Sequence, residues 1–133
     1  MNDEPVWISK QALLLKQAEL LRLFGGAEGV RDEGALDSAL MRPVNIWSYD
    51  NETGIPRLAA AYAFGLVKNH AFIDGNKRTA FIAYVGFLKM NRFNLVAPQP
   101  DAYRTMIALA TGDMTEQDFA AWIEANMAER RVP

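Results

Sequence analysis

The sequence predicts an all-α protein, a single-domain bundle of about six helices spanning residues 1–133. Three observations predict it. Apolar residues recur at the helical spacing of three and four in one segment after another. Glycine and proline punctuate the chain between those segments. No segment alternates apolar and polar residues convincingly enough to require a sheet. Length and composition agree: 133 residues, half of them apolar, suffice for one domain with a real core and are too few to expect two. No internal repeat, low-complexity segment or interdomain linker interrupts the pattern.

Ser9 can cap a first helix from about Lys10 to Phe24, with Leu13, Leu14, Leu20, Leu21 and Phe24 as its apolar side and Gly25-Gly26 as its stop. A short second helix fits Asp32 to Met41, closed by Pro43. Val44 to Thr53 has aromatics but no helical period, which predicts a loop or small hairpin able to fold over a site. A third helix starts near Pro56, a residue suited to the first turn, and carries Leu58, Ala61, Tyr62, Gly65 and Leu66. A fourth runs from about Asn76 to Met90 with Ala80, Phe81, Tyr84, Val85 and Leu88 on one side. The third and fourth are apolar over much of their circumference and are expected to be central. After the break at Pro98-Gln99-Pro100, Asp101 can cap a fifth helix carrying Tyr103, Met106, Ile107 and Ala110, which Gly112 ends. Thr115 caps the sixth, with Phe119, Trp122, Ile123 and Met127 facing inward.

Composition narrows the function. Cysteine is absent, so neither a disulfide framework nor a thiolate metal site is available. The start, Met1-Asn2-Asp3-Glu4-Pro5, is acidic and lacks the basic head of a signal peptide. No apolar run approaches the roughly 18 residues that span a bilayer. A soluble cytoplasmic protein with no membrane association is the expectation. The formal net charge of −2 carries no global basic footprint, and no direct DNA binding is expected. The cations Lys68, Lys77, Arg78, Lys89 and Arg92 group around residues 68–92, a local patch that suits a nucleotide better than a duplex. For Lys89 and Arg92 a solvated helix face explains the pattern equally well.

The stretch His70-Ala71-Phe72-Ile73-Asp74-Gly75-Asn76-Lys77-Arg78 is the richest in chemistry. It holds the only histidine of the chain, immediately before the fourth helix. Backbone N–H groups at a helix start are unpaired and the helix dipole is positive there, which favours phosphate. Histidine is the side chain suited to take a proton near neutral pH, so His70 is a candidate general base; it can also serve as a C-cap of the third helix. Phe72, alternating with polar neighbours, reads as a core anchor of the loop, with Ile73 in a similar role. Asp74 can cap the fourth helix or ligate Mg²⁺, an ion that commonly takes one protein carboxylate plus phosphates and waters. Gly75 admits backbone angles closed to other residues and lets a phosphate approach. Asn76 can donate to a phosphate oxygen or hold the loop's shape. Lys77 and Arg78 add charge, and successive N–H groups from Gly75 to Arg78 would form a phosphate cradle. The Walker phosphate-loop and dinucleotide patterns are both missing.

These nine residues resemble the signature of the Fic/Doc family: a histidine, any residue, Phe, any residue, an acidic residue or Asn, Gly or Ala, Asn, Lys or Gly, then Arg. Every constrained position matches. Gly29-Val30-Arg31-Asp32, followed by Ala35-Leu36, Ser38-Ala39-Leu40 and Arg42-Pro43, is similar to the N-terminal segment of the Doc ("death on curing") branch. The resemblance runs from about Ser9 to the last helix. Within the family the Fic branch usually has Gly after the Asn and a second Arg three residues beyond the first, and it transfers AMP. Here those positions hold Lys77 and Phe81. The Doc branch has Lys there and is understood to present the γ-phosphate of ATP.

The resemblance thus implies a toxin kinase. His70 would take the proton of a Ser or Thr hydroxyl, Asp74 would hold Mg²⁺, and Gly75, Asn76, Lys77 and Arg78 would bind the phosphates of ATP. It implies a translation factor as target, elongation factor Tu for the Doc type. It assigns no catalysis to Arg31 or Asp32, which a buried pair or a helix cap would explain. The family's inhibitory helix, Ser or Thr, three residues, Glu, then Gly or Asn, is missing: Phe24 precedes Glu28-Gly29 and Gly29 precedes Glu33-Gly34 at the required position. Restraint is therefore expected in trans, from a small Phd-like antitoxin folded into an apolar groove whose walls are the first helix and the Trp47–Tyr49 loop. Transfer of AMP, and a non-catalytic module that binds the translation machinery, are the competing readings.

Overall fold

The computed structural model describes residues 3–130; Met1 and Asn2 of the acidic start, and residues 131–133 of the expected domain, lie outside them. Six helices are present among the described residues: α1 (Lys10–Phe24), α2 (Glu33–Tyr49), α3 (Ile55–Asn69), α4 (Asn76–Met90), α5 (Gln99–Thr111) and α6 (Glu116–Ala125). A two-stranded antiparallel ribbon, β1 (Phe93–Leu95) with β2 (Met127–Glu129), pairs Asn94 with Ala128. The fold is all-α apart from this ribbon. Among the described residues, no helix is long and apolar enough to cross a membrane.

Local chemistry sets most boundaries. The Ser9 hydroxyl accepts from the Ala12 N–H at the start of α1, and Gly25 ends it at φ 85°. Thr115 caps α6 through the Asp118 N–H, and Gly112 closes α5 in the left-handed region at φ 88°. On α1 only the Leu13, Gln17 and Leu21 side is buried, and Phe24 stays exposed. α3 is the central element: nine of its fifteen residues are buried, Leu58, Tyr62 and Leu66 among them. Ala80, Tyr84, Phe87 and Leu88 of α4 pack against it, and Leu36, Leu109, Phe119 and Ile123 close the cluster. Glu116 at the start of α6 is gripped by Arg42 of α2 and, at 2.6 Å, by Arg57 of α3.

Three expectations are corrected. α2 does not stop at Pro43 but runs through it to Tyr49, so Val44–Tyr49 is helix and neither loop nor hairpin. Proline removes one backbone hydrogen bond, yet Leu36, Ala39, Leu40 and Pro43 form a buried face and Trp47 meets Trp7 edge-on at 6.2 Å. Burial of that face outweighs the lost bond, and the turn at Asp50–Thr53 ends the helix instead. Asp101 does not cap α5. The helix begins at Gln99 with Pro98 as N-cap, and Asp101 sits in the first turn paired with Arg104. Tyr103 points outward, 67% exposed, while Ala102, Thr105, Met106 and Leu109 face the core. Met127 belongs to the ribbon and not to α6. Strands of three residues are too short to show a period.

α2 and α3 meet at a small-residue contact. A Cβ on Gly65 would lie 3.2 Å from both Cα and Cβ of Ala39. Gly65→Val is expected to force the helices apart and cost about 1–3 kcal/mol. A thermal melt should show a Tm lower by roughly 4–12 °C. An unchanged Tm would mean that the helix pair has slack the packing does not show.

Candidate functional site

The motif loop is built between the end of α3 and the start of α4. His70 is the C-cap residue of α3 and adopts the left-handed conformation, φ 48° and ψ 47°. For a residue with a Cβ that conformation costs about 1–2 kcal/mol and must be held by its surroundings. The neighbouring segment holds it. Arg31 N–H donates to the Ala71 carbonyl at 2.7 Å, Ile73 N–H donates to the Gly29 carbonyl at 3.1 Å, and Val30 forms an antiparallel bridge with Phe72. The Arg31 guanidinium donates to the His70 carbonyl at 2.6 Å. Ala71 and Phe72 are fully buried while His70 is exposed, so the loop is anchored by the two residues that follow the histidine. Phe72 is thus the core anchor that its alternation predicts. Ile73 is not: it is half exposed.

Asn76 locks the loop from the other side. Its Oδ1 accepts from the Phe72 N–H at 3.1 Å and its Nδ2 donates to the Phe72 carbonyl at 3.0 Å. Of the two roles open to Asn76, shape-holding is therefore occupied; its second amide hydrogen remains available. Gly75, at φ 77°, is the N-cap of α4 and supplies no side-chain cap. The first intrahelical bond is Thr79 N–H to the Gly75 carbonyl. The N–H groups ahead of it, from Gly75 to Arg78, meet no acceptor among the described residues.

Asp74 does not cap α4. Its Oδ2 accepts from the Ala27 N–H at 2.8 Å, tying the motif to the loop after α1. Gly26 makes this possible. It sits at φ 118°, and a Cβ there would lie 2.9 Å from Leu21 Cδ2 and 3.3 Å from Asp74 Cβ. The second carboxylate oxygen of the exposed Asp74 makes no protein hydrogen bond among the described residues. No cluster of three metal-ligating side chains exists among the described residues.

Lys77 and Arg78 are exposed and form no ion pair among the described residues. The Arg78 guanidinium lies 4.7 Å from the centroid of the Phe24 ring. The patch read from the sequence is smaller in three dimensions. Lys68 donates to the Ala110 carbonyl, and Lys89 and Arg92 sit at the far end of α4, about 20 Å from its start. Arg31 joins the cations at the motif instead. Its spacing in the chain did not single it out; the one signal was its place in the second matching segment. Asp32 caps α2 through the Ala35 N–H.

Beside the motif lies an apolar groove of about 660 Å³ between α1, α4 and α5, with Leu20, Phe24, Phe81, Ile82, Tyr103 and Met106 in its walls and Lys77 and Arg78 at one end. α1 is one wall of this groove. Trp47–Tyr49 is not: that segment is the end of α2, and Trp47 faces Trp7.

Comparison with known proteins agrees with this geometry. A model described as the Fic/DOC family matches residues 7–88, a span holding both the motif loop and the segment that braces it. Toxin Doc of Mycolicibacterium smegmatis (strain ATCC 700084 / mc(2)155) is 46% identical over 78 residues, 56% of this chain and 58% of that protein. The matched part thus spans little more than half of that relative. Protein kinase doc of Escherichia phage P1 is 26% identical over 113 residues, 85% of this chain and 89% of that protein. With the signature loop, its brace and the six-helix frame in place, the chain belongs to the Fic/DOC family.

Proposed function

We propose that this chain is the toxin of a toxin–antitoxin pair. It transfers the γ-phosphate of ATP to a Ser or Thr hydroxyl of a translation factor, elongation factor Tu being the candidate, and arrests translation in the cytoplasm. The observation that carries the reading is one braced loop that bears the exposed His70 at one end and, at the other, the N–H groups of Gly75 to Arg78 without acceptors and the exposed cations Lys77 and Arg78. The names of the two relatives support it.

In this reading ATP extends its triphosphate toward the start of α4. The N–H groups of Gly75 to Arg78 and the side chains of Lys77 and Arg78 hold the phosphates and offset the charge that develops on them. His70 accepts the proton of the incoming hydroxyl. The hydroxyl oxygen bonds to the γ-phosphorus, the bond from that phosphorus to the β,γ-bridging oxygen breaks, and ADP leaves with the electron pair. Asp74 fits Mg²⁺, with one oxygen committed to Ala27 and the other free; the ion would neutralise phosphate charge. Phe81 argues for the direction of ATP. It stands in the wall of the apolar groove at the position where the Fic branch has its second Arg, so the second cation of that branch is replaced by an apolar ring.

The groove supplies the partner. A small Phd-like antitoxin that lays an apolar face along Leu20, Phe24 and Phe81 would end against Lys77 and Arg78, beside the phosphate cradle. Incubation of elongation factor Tu with ATP labelled on either the γ- or the α-phosphate tests the reaction. The γ-label should transfer and the target mass should rise by one phosphate. Transfer of the α-label instead would establish AMP transfer and overturn the kinase reading.

A further inference from the structure

We propose that Arg31 is a positioning residue: its grip on the His70 carbonyl holds the left-handed backbone conformation from which the exposed His70 side chain projects. The role in transfer rests on the reading of His70 as proton acceptor; the orientation itself does not.

Among the described residues, no side chain or backbone group hydrogen-bonds the imidazole of His70. A catalytic histidine is commonly oriented by a carboxylate or carbonyl on its second nitrogen. Here φ 48° and ψ 47° fix the direction in which the Cα–Cβ bond leaves the backbone, and with it the set of positions that the side-chain rotamers can give the ring. The left-handed region is unfavourable for histidine, so the conformation persists only while something outside the residue holds it. The His70 carbonyl stands at the C-terminal end of α3, where carbonyls lack intrahelical partners. Arg31 Nη2 supplies one at 2.6 Å, with a positive charge at the negative end of the helix. The main chain of the same residue donates to the next carbonyl, that of Ala71, at 2.7 Å. One residue thus clamps two successive carbonyls.

Among the described residues, the Arg31 side chain makes no other hydrogen bond. It is exposed and makes no ion pair among the described residues. Its neighbour Asp32 is accounted for as the cap of α2, and Val30 as the bridge to Phe72. A lysine at position 31 would keep charge and a donor but lose the planar fork.

The chain contains one histidine, so its imidazole carbon-bound protons give a single set of resonances in the intact protein, free of nucleotide and target. In Arg31→Ala these resonances should shift and broaden or double as the residue leaves its left-handed state, with Arg31→Lys intermediate. Lys16→Ala, which removes an exposed cation of α1, should match wild type. In the transfer reaction Arg31→Ala should lower kcat about ten- to a hundredfold with the KM for ATP within about twofold, as misplacement of a catalytic group does. Superimposable imidazole resonances and titration curves in wild type and folded Arg31→Ala would overturn the proposal. Should Arg31→Ala melt early, Arg31→Lys carries the same comparison. Moved resonances in a chain that transfers no phosphate would leave the positioning role standing and refute the kinase reading instead.

Discussion

His70→Ala is expected to reduce phosphate transfer by about 10²–10⁴-fold, the usual contribution of a positioned general base. The fold should survive. The side chain is exposed, and the brace from Gly29–Asp32 acts on the backbone of residues 70–73, which alanine retains. Thermal stability is therefore expected to stay within about 0.5 kcal/mol of wild type, the range of surface substitutions. Two measurements together decide: label transfer from ATP, and growth arrest on expression. Loss of both with an unchanged melt makes chemistry the activity. Growth arrest as strong as that of wild type would assign the toxicity to binding, and the catalytic proposal would be wrong.

Asp74→Asn is expected to be nearly as damaging, and it separates two roles of one side chain. The amide oxygen can still accept from the Ala27 N–H, so the tie between the motif and the loop after α1 remains. The negative charge that would hold Mg²⁺ is gone. Transfer should fall roughly a hundredfold or more, because the charge stabilisation a metal supplies amounts to several kcal/mol. Raising the Mg²⁺ concentration should restore part of it. Asp74→Ala loses the tie as well and should not be rescued. If Asp74→Asn transfers phosphate at the wild-type rate, the carboxylate is a loop tie only and the metal belongs elsewhere.

Several helix ends are legible from local devices. Ser9 and Gly25 bound α1, Gly112 and Thr115 bound the turn before α6, and α4 begins at Asn76 as its apolar period predicts. These are interactions within a few residues of chain, so local reading captures them. Pro43 shows the opposite case. Its local signal is to stop, and α2 continues because Leu36, Leu40 and Pro43 are buried on a face that lies against α3. The ribbon of Phe93–Leu95 with Met127–Glu129 joins segments more than thirty residues apart, and neither strand is long enough to announce itself.

The residue types of the candidate site, an imidazole, a carboxylate, a flexible glycine and two cations within nine positions, are a property of the sequence alone, as are the family pattern they match and the helical frame around them. Their arrangement is not. That Asp74 turns to Ala27 and away from α4, that Asn76 spends its amide on Phe72, and that Arg31 reaches His70 across thirty-nine positions all come from contacts between distant segments. Such contacts form only when burial of the apolar faces has already brought those segments together, and no local pattern encodes which polar atoms then meet.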